Sequence, residues 1–254
     1  MENIVAIISD YGLKDYYVGS VHGVIRSVNP EAKIVDITHN TRPFDLVDAA
    51  VKFKWSYKYF PRGTVFLILV DPDPTAEPII VSTENYFIVC PNNGVGSLVF
   101  QEEKPESVYR ITADHYFLKS PGNFRGRDVL TPIAAELAKL QSAYHLGDKI
   151  ELNQLKLFAI PQPRQVAPNI FEAIVLDVDN FGNLILNLET KTLPKAVEIN
   201  GVRVEKASSE FKGLNRGELF ISIHPEGNVQ IVAYMANAAM LLKAQRGTKV
   251  KVEF

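Results

Sequence analysis

The N-terminal part of the chain sets three apolar runs, IVAIIS (Ile4–Ser9), KIVDIT (Lys33–Thr38) and GTVFLILVD (Gly63–Asp71), between stretches of helical periodicity. No other feature restricts the fold as much. Runs with little polar alternation need cover on both faces, which is the situation of a parallel sheet flanked by helices. Between the first two runs, from Asp15 to Val28, the residues Val18, Val21, Ile25 and Val28 recur at helical spacing, and Asn29-Pro30 stops the helix. A second helix is expected from about Pro43 to Tyr59, before GTVFLILVD. The runs PIIVS and YFIVCP come after it. This pattern predicts a Rossmann-like α/β domain with a mostly parallel sheet over residues 1–163.

The texture changes after AIPQPRQVAP, Ala159 to Pro168, where three prolines in ten residues suit neither a helix interior nor a central strand. Short alternating runs follow: FEAIVLDVD, NLILNLE, AVEINGVRVEK, ELFISIH, NVQIVAYM and TKVKVEF. Asn200-Gly201 between apolar runs is a two-residue hairpin signal. A smaller antiparallel β-barrel domain is expected over residues 168–254.

Composition narrows the function. A formal net charge of -2, with no Lys/Arg block, argues against a nucleic-acid partner and for a small molecule. The apolar run near the N-terminus ends at Asp10, too short for a signal peptide's core or a membrane span, so a cytoplasmic protein is expected. The single cysteine, Cys90, lies in an apolar run and reads as a buried structural thiol. P-loop, G-x-G-x-x-G and G-x-S-x-G motifs are absent.

In an open parallel sheet, ligands bind beyond the carboxyl ends of the strands. Asp10 ends the first run; Asp71 ends the third, with Pro72 blocking continuation; CPNNG supplies Asn92 and Asn93. Asp10 and Asp71 fit a ligand role and turn capping equally, whereas Asn92-Asn93-Gly94 reads as turn chemistry. In GNFRGRDVLTP, Arg125 projects from a glycine-flanked turn, Arg127 and Asp128 are expected to pair with partners elsewhere in the fold, and Pro132 suits only the first turn of the helix that follows. In LDVDNFGN, a hairpin turn accounts for Asn180 and Gly182 but leaves Phe181 exposed without a stacking partner. The histidines His22, His39, His115, His145 and His224 lack the short spacings of a histidine metal site, and Asp71 with Asp73 is weak evidence for Mg²⁺. No metal and no cofactor are expected.

Taken in order, SDYGLKDYYVGSVHGVI, KIVDITH, YFPRGTVFLILVDP, PNNG, FRGRD and DNFGNLILN resemble the S-adenosyl-L-methionine hydroxide adenosyltransferases, relatives of fluorinase and chlorinase. The resemblance spans nearly the whole chain. It implies an α/β domain, a C-terminal β-barrel, and a homotrimer that binds S-adenosyl-L-methionine where neighbouring subunits meet. It also implies displacement at the ribose C5′ by water or hydroxide, giving adenosine and L-methionine. By the same resemblance, Asp10 would hold the ribose hydroxyls and Phe44 would flank the ligand. Asp179 would meet the methionine ammonium, and Phe181 and Asn183 would address adenine. Phe124 and Gly126 would join the ligand-binding residues, and Arg125 would face the ribose C5′, with Arg127 and Asp128 in support.

The chain departs from the family in its catalytic set. Asp71 matches the family's aspartate, but Pro78 stands at the arginine position, and FRGRD places Arg125 where the pattern F-H-G-R-D has histidine. Tyr234-Met235 also replace a pattern resembling N-G. Arg125 is therefore expected to supply the charge lost at Pro78, leaving Asp71 as the proton acceptor. Gly126 where fluorinase has serine, and the lack of a long insertion between PIIVS and YFIVC, argue against a halide nucleophile. The competing reading is a catalytically silent binder of adenosine or S-adenosyl-L-methionine.

Overall fold

The computed structural model describes residues 3–71, 73, 75–118, 122–208, 210 and 212–254; Pro72 and Pro74 of the DPDP stretch lie outside the described residues. The chain divides into two compact units, residues 1–159 and 160–254.

The first unit is built on a seven-stranded sheet. Its strands are β1 (Ile4–Ser9), β2 (Lys33–Thr38), β3 (Val65–Leu69), β4 (Pro78–Thr83), β5 (Phe87–Pro91), β6 (Pro105–Ile111) and β7 (Gly147–Ile150), in the order β2-β1-β3-β5-β4-β6-β7. Helices α1 (Tyr17–Val28), α2 (Leu46–Ser56) and α3 (Thr131–Leu140) cover it. The apolar runs are continuous because both faces are buried. Val5 and Ile7 of β1 join Val21 and Ile25 of α1 and Ile133 and Leu137 of α3 on one face. Ile4, Ala6 and Ile8 join Ala49 and Phe53 of α2 on the other. Asp45 caps α2, its carboxylate accepting the Asp48 N–H at 3.0 Å.

The sheet is mixed rather than mostly parallel. The pairs β1–β2, β1–β3 and β3–β5 are parallel, whereas β4–β5, β4–β6 and β6–β7 are antiparallel. The reason is local: only a short turn separates β4 from β5, and a connection that short allows only an antiparallel pair. The apolar texture of PIIVS, buried on both faces, looks the same in either direction.

The second unit is an antiparallel sheet of eight strands. They are β8 (Arg164–Ala167), β9 (Ile170–Val178), β10 (Leu184–Glu189), β11 (Ala196–Ile199), β12 (Val202–Val204), β13 (Leu219–Ile223), β14 (Asn228–Ala233) and β15 (Lys249–Glu253). The order is β12-β11-β15-β9-β10-β14-β13, with β8 also pairing β9. The backbone of Ile221 in β13 bonds to Lys206 and Ser208, just beyond β12, so the sheet nearly closes into a barrel. Its core includes Leu184, Leu186, Ile221, Ile231 and Val252. Asn200 and Gly201 both have positive φ, 49° and 77°, as a tight two-residue hairpin requires. A short helix, α4 (Ala238–Leu241), starts at Asn237, whose side chain accepts the Met240 N–H. The proline-rich segment is partly structured, since β8 lies within it.

Cys90 is buried, and that burial, with the charge of Asp71 adding, pushes its thiol up to about 12. Among the described residues no helix is long and apolar enough to cross a membrane.

Candidate active site

Ser9 and Leu69 pair in register on the parallel strands β1 and β3, so Asp10 and Asp71 leave the sheet at one edge. A cleft of about 200 Å³ opens there, and Asp10, Phe44, Asp71, Phe124, Arg125 and Gly126 all line it. Side chains from four separate stretches of sequence therefore meet on one rim. Asn93 belongs to the framework: its amide donates to the Val70 carbonyl at 2.9 Å, next to Asp71. Asn92 likewise donates to the Gln154 carbonyl and accepts from the Lys156 N–H.

One oxygen of Asp10 accepts the Phe44 N–H at 2.8 Å. Burial raises the Asp10 carboxyl above its ordinary range, and that hydrogen bond works against the rise. Phe44 has φ 64°, a conformation that costs a bulky residue about 1–3 kcal/mol and is held only where the surroundings dictate it. Phe44 as a whole is 69% exposed beside the cleft.

Asp71 is the distinctive group. Its Oδ1 is buried without a hydrogen-bond partner. Burial raises the carboxyl above the usual range, opposed by the Asp73 N–H and the Arg125 charge and reinforced by the carboxylates of Asp73 and Asp10. Beside it a second cavity of about 10 Å³, close to the space one water needs, is lined by Asp71, Pro78 and Arg125 together with Ala76 and Pro91. Pro78 and Arg125 thus border the same small space.

The helical segment bearing Arg125 differs from a loop followed by a helix. Gly126–Leu130 form a π-helical turn running straight into α3, with the Thr131 N–H bonded to the Gly126 carbonyl. Pro132 stands in the first turn of α3, as expected, and the π-helical turn changes the bonding just ahead of a residue that has no N–H to give. Instead of reaching partners elsewhere in the fold, Arg127 and Asp128 pair with each other at 2.5 Å; Asp128 also accepts the Gly122 N–H, and the Arg127 guanidinium lies 4.9 Å from the Phe124 ring centre. The Arg127 hydrogen bond holds the Asp128 carboxyl below its usual range. Together these contacts fix the turn.

Tyr11 is a cleft residue that sequence reasoning missed. Burial, with Asp10 and Asp71 adding, drives its phenol well above its usual range, so it stays neutral. A Cβ at Gly126 would come within 2.2 Å of the Tyr11 hydroxyl. Tyr11 has little room to retreat, because it packs edge-on against Phe124 at 5.3 Å and lies 5.8 Å from Tyr17. Gly126→Ala is expected to destabilise the fold by about 1–3 kcal/mol, as overpacking does. Adding Tyr11→Phe, which removes the atom in the way, should recover most of that loss in a urea double-mutant cycle. Strict additivity of the two changes would show that this contact does not govern the position.

The second unit carries its own cleft, of about 660 Å³, lined by Asp179, Phe181, Asn183, His224, Tyr234 and Asn237 among others. Asp179 organises the β9–β10 turn: Oδ1 accepts the N–H groups of Phe181 and Asn183 at 3.0 and 2.8 Å, and Oδ2 accepts the Asn183 side-chain amide at 2.7 Å. The turn holds Phe181 out, 75% exposed. Burial lowers the pKa of His224, with Glu226 and Asp179 opposing, and its Nδ1 accepts the Glu226 N–H at 3.2 Å. The sequence held no signal for His224 beyond its place at a strand end.

Comparison with known proteins agrees with this architecture. Residues 5–147 match the family model of the SAM hydroxide adenosyltransferase N-terminal domain, and residues 173–251 match that of the C-terminal domain. The chain belongs to the SAM hydroxide adenosyltransferase family. Its relatives include the (R)-S-adenosyl-L-methionine hydrolase of Thermus thermophilus, 31% identical over 98% of each chain. Another is the Salinispora tropica protein of the same name, 28% identical over 98% of this chain and 97% of the relative. A fluorinase of Nocardia brasiliensis is 25% identical over 98% of this chain and 97% of its own. A crystal structure of an uncharacterized conserved protein from Thermotoga maritima superposes with a TM-score of 0.89 at 27% identity, covering 99% of this chain and all of the other.

Proposed function

We propose that this protein hydrolyses S-adenosyl-L-methionine. Water attacks the ribose C5′, the C5′–S bond breaks with its electron pair going to sulfur, and adenosine and L-methionine leave. The observation that carries the reading is the buried, unpartnered Asp71 Oδ1 beside a water-sized cavity that Arg125 also lines. Asp71 accepts the proton of the attacking water; Arg125, charged at any neutral pH, stabilises the developing hydroxide but takes no proton. The sulfonium is already a good leaving group, so the site's main task is to desolvate and align the nucleophile, and the reaction needs no metal or cofactor.

Asp10 holds the ribose hydroxyls, while Phe44, Phe124 and Gly126 shape the rim, and Arg127 with Asp128 supports the helical turn. Asp179 meets the methionine ammonium, and Phe181 and Asn183 address adenine. The hydrolase names of several full-length relatives support the same substrate and reaction. The reading extends to a Rossmann-like domain and a barrel domain, divided as residues 1–163 and 168–254. It also extends to a cytoplasmic homotrimer in which one subunit's N-terminal cleft is completed by a neighbour's barrel, and to small-molecule chemistry without nucleic-acid or membrane partners.

Pro78 favours a second reading, a binder of adenosine or S-adenosyl-L-methionine without turnover, because it lines the small cavity with an uncharged ring. Incubation with S-adenosyl-L-methionine in halide-free buffer, with chromatography of the products, separates the two. Adenosine and methionine in equal amounts are expected, and Arg125→Ala should slow their appearance by about 10- to 1,000-fold, the range for losing an electrostatic stabiliser. Full activity in Arg125→Ala would remove that residue from the mechanism. Saturable binding with substrate left intact would establish the silent binder.

A further inference from the structure

Away from the cleft, three side chains that are scattered in sequence converge. His22 comes from α1, Asp36 from β2, and His39 from just beyond β2. Their ligand atoms all lie within 4.8 Å of one another. His22 Nε2 is 2.9 Å from Asp36 Oδ1, and His39 Nε2 is 2.9 Å from the same oxygen.

A backbone irregularity makes this possible. Residues three apart on a regular strand point to opposite faces. Along β2, Asp36 pairs with Ile7 but Thr38 pairs with Ile8, so Ile37 is an extra residue. That bulge restores Asp36 and His39 to one side, the side on which α1 presents His22.

Hydrogen bonding joins His22 to Asp36 at 2.9 Å but leaves His39 to be explained. His39 is only 5% exposed, and its Nε2, although 2.9 Å from Asp36 Oδ1, is a buried nitrogen with no hydrogen-bond partner. Its other nitrogen, Nδ1, is 2.7 Å from the Ser9 hydroxyl. That contact orients the ring, as partners behind metal-ligating histidines do. His22 and Asp36 are partly exposed, which leaves an entry path from solvent.

We propose that His22 Nε2, Asp36 Oδ1 and His39 Nε2 form a binding site for a first-row divalent transition ion, Zn²⁺ being the probe of choice. Two imidazoles and one carboxylate are the donor set such ions take. Bonds of about 2.1 Å at right angles put neighbouring ligand atoms about 3.0 Å apart, against about 3.4 Å for tetrahedral angles. The two carboxylate–imidazole spacings of 2.9 Å lie near the first value and the two imidazole nitrogens are within 4.8 Å of each other, with water completing the shell. The ion sits between the carboxylate oxygen and the two nitrogens and gives the orphaned His39 Nε2 a partner. It also braces the turn after β1, since the Gly12 N–H bonds to the His39 carbonyl at 2.7 Å. The site is independent of the proposed reaction.

The test uses the full, tag-free chain, stripped with a chelator and titrated calorimetrically with Zn²⁺. One equivalent is expected, with a Kd of about 10 μM or tighter, and His22→Ala should weaken it at least about tenfold. Paramagnetic Co²⁺ should shift the imidazole protons of His22 and His39 together and leave those of His115, His145 and His224 in place. Binding weaker than about 10 μM, affinity unchanged in His22→Ala, or shifts centred on the other histidines would each overturn the assignment and leave a hydrogen-bonded histidine–aspartate cluster.

Discussion

Asp71→Asn is expected to lower S-adenosyl-L-methionine turnover by about 10²- to 10⁴-fold, the contribution of a positioned general base, with ligand affinity changed only a few-fold. The amide keeps the size of the side chain and still fills the wall between the cleft and the small cavity, but it accepts no proton. The same group sets the acid limb of the pH profile. Burial holds the Asp71 carboxyl above the ordinary aspartate value of 3.8, against the pull of the Asp73 N–H and Arg125. A base works only when ionised, so the rate should rise with pH through a midpoint above 3.8 and reach a plateau once Asp71 is fully charged. Removing the Arg125 charge takes away a term that favours the ionised form, so in Arg125→Ala that midpoint should move up. A pH–rate profile of kcat measures both. Turnover surviving in Asp71→Asn, or an acid limb that Arg125→Ala leaves in place, would sink Asp71 as the base.

The second large effect is expected at Gly182, where Gly182→Ala should cost about 2–4 kcal/mol of stability and most of the ligand affinity. Two costs coincide. With φ 83° the backbone is in the left-handed region, where an L-residue adds about 1–2 kcal/mol. A Cβ there would also fall 2.2 Å from the Asn237 side chain, and relieving that contact adds a cost of the overpacking kind. Asn237 has little freedom to yield, since it caps α4 through the Met240 N–H at 2.8 Å, and the Gly182 carbonyl accepts the Ala239 N–H. The substitution therefore pushes the turn holding Phe181 away from the Asn237 side of the same cleft. Urea unfolding and calorimetric ligand titration read the two consequences. A variant as stable as the parent would show that the turn has slack that these contacts do not suggest.

Where local chemistry is sufficient, residues and structure agree closely. IVAIIS, KIVDIT and the Asn200-Gly201 turn become β1, β2 and a two-residue hairpin because periodicity, apolar content and positive-φ tolerance are properties of neighbouring residues. Asp10 and Asp71 were legible as strand-end carboxylates, and the parallel β1–β3 register brings them to one edge. The direction of β4 was not legible, since its apolar residues are buried in the same way whichever way it runs. Nor was the π-helical turn at Gly126, a position crowded by Tyr11 and Leu69 that shows in the sequence only as a glycine. Histidine spacing separated His22 from His39, and only the crossing of α1 over a bulged β2 brings them to Asp36.

The division follows the range of the forces involved. Backbone propensity, turn geometry and hydrophobic period act over a few residues, so the chain by itself determined its elements, the change in texture near residue 160 and the family to which its motifs point. Burial, desolvation and the meeting of charges act across the fold, between residues far apart in sequence. Tertiary structure alone decided that Asp71 keeps an unpartnered oxygen beside a water-sized space, that Pro78 and Arg125 border that space, and that His39 turns an unsatisfied nitrogen toward Asp36.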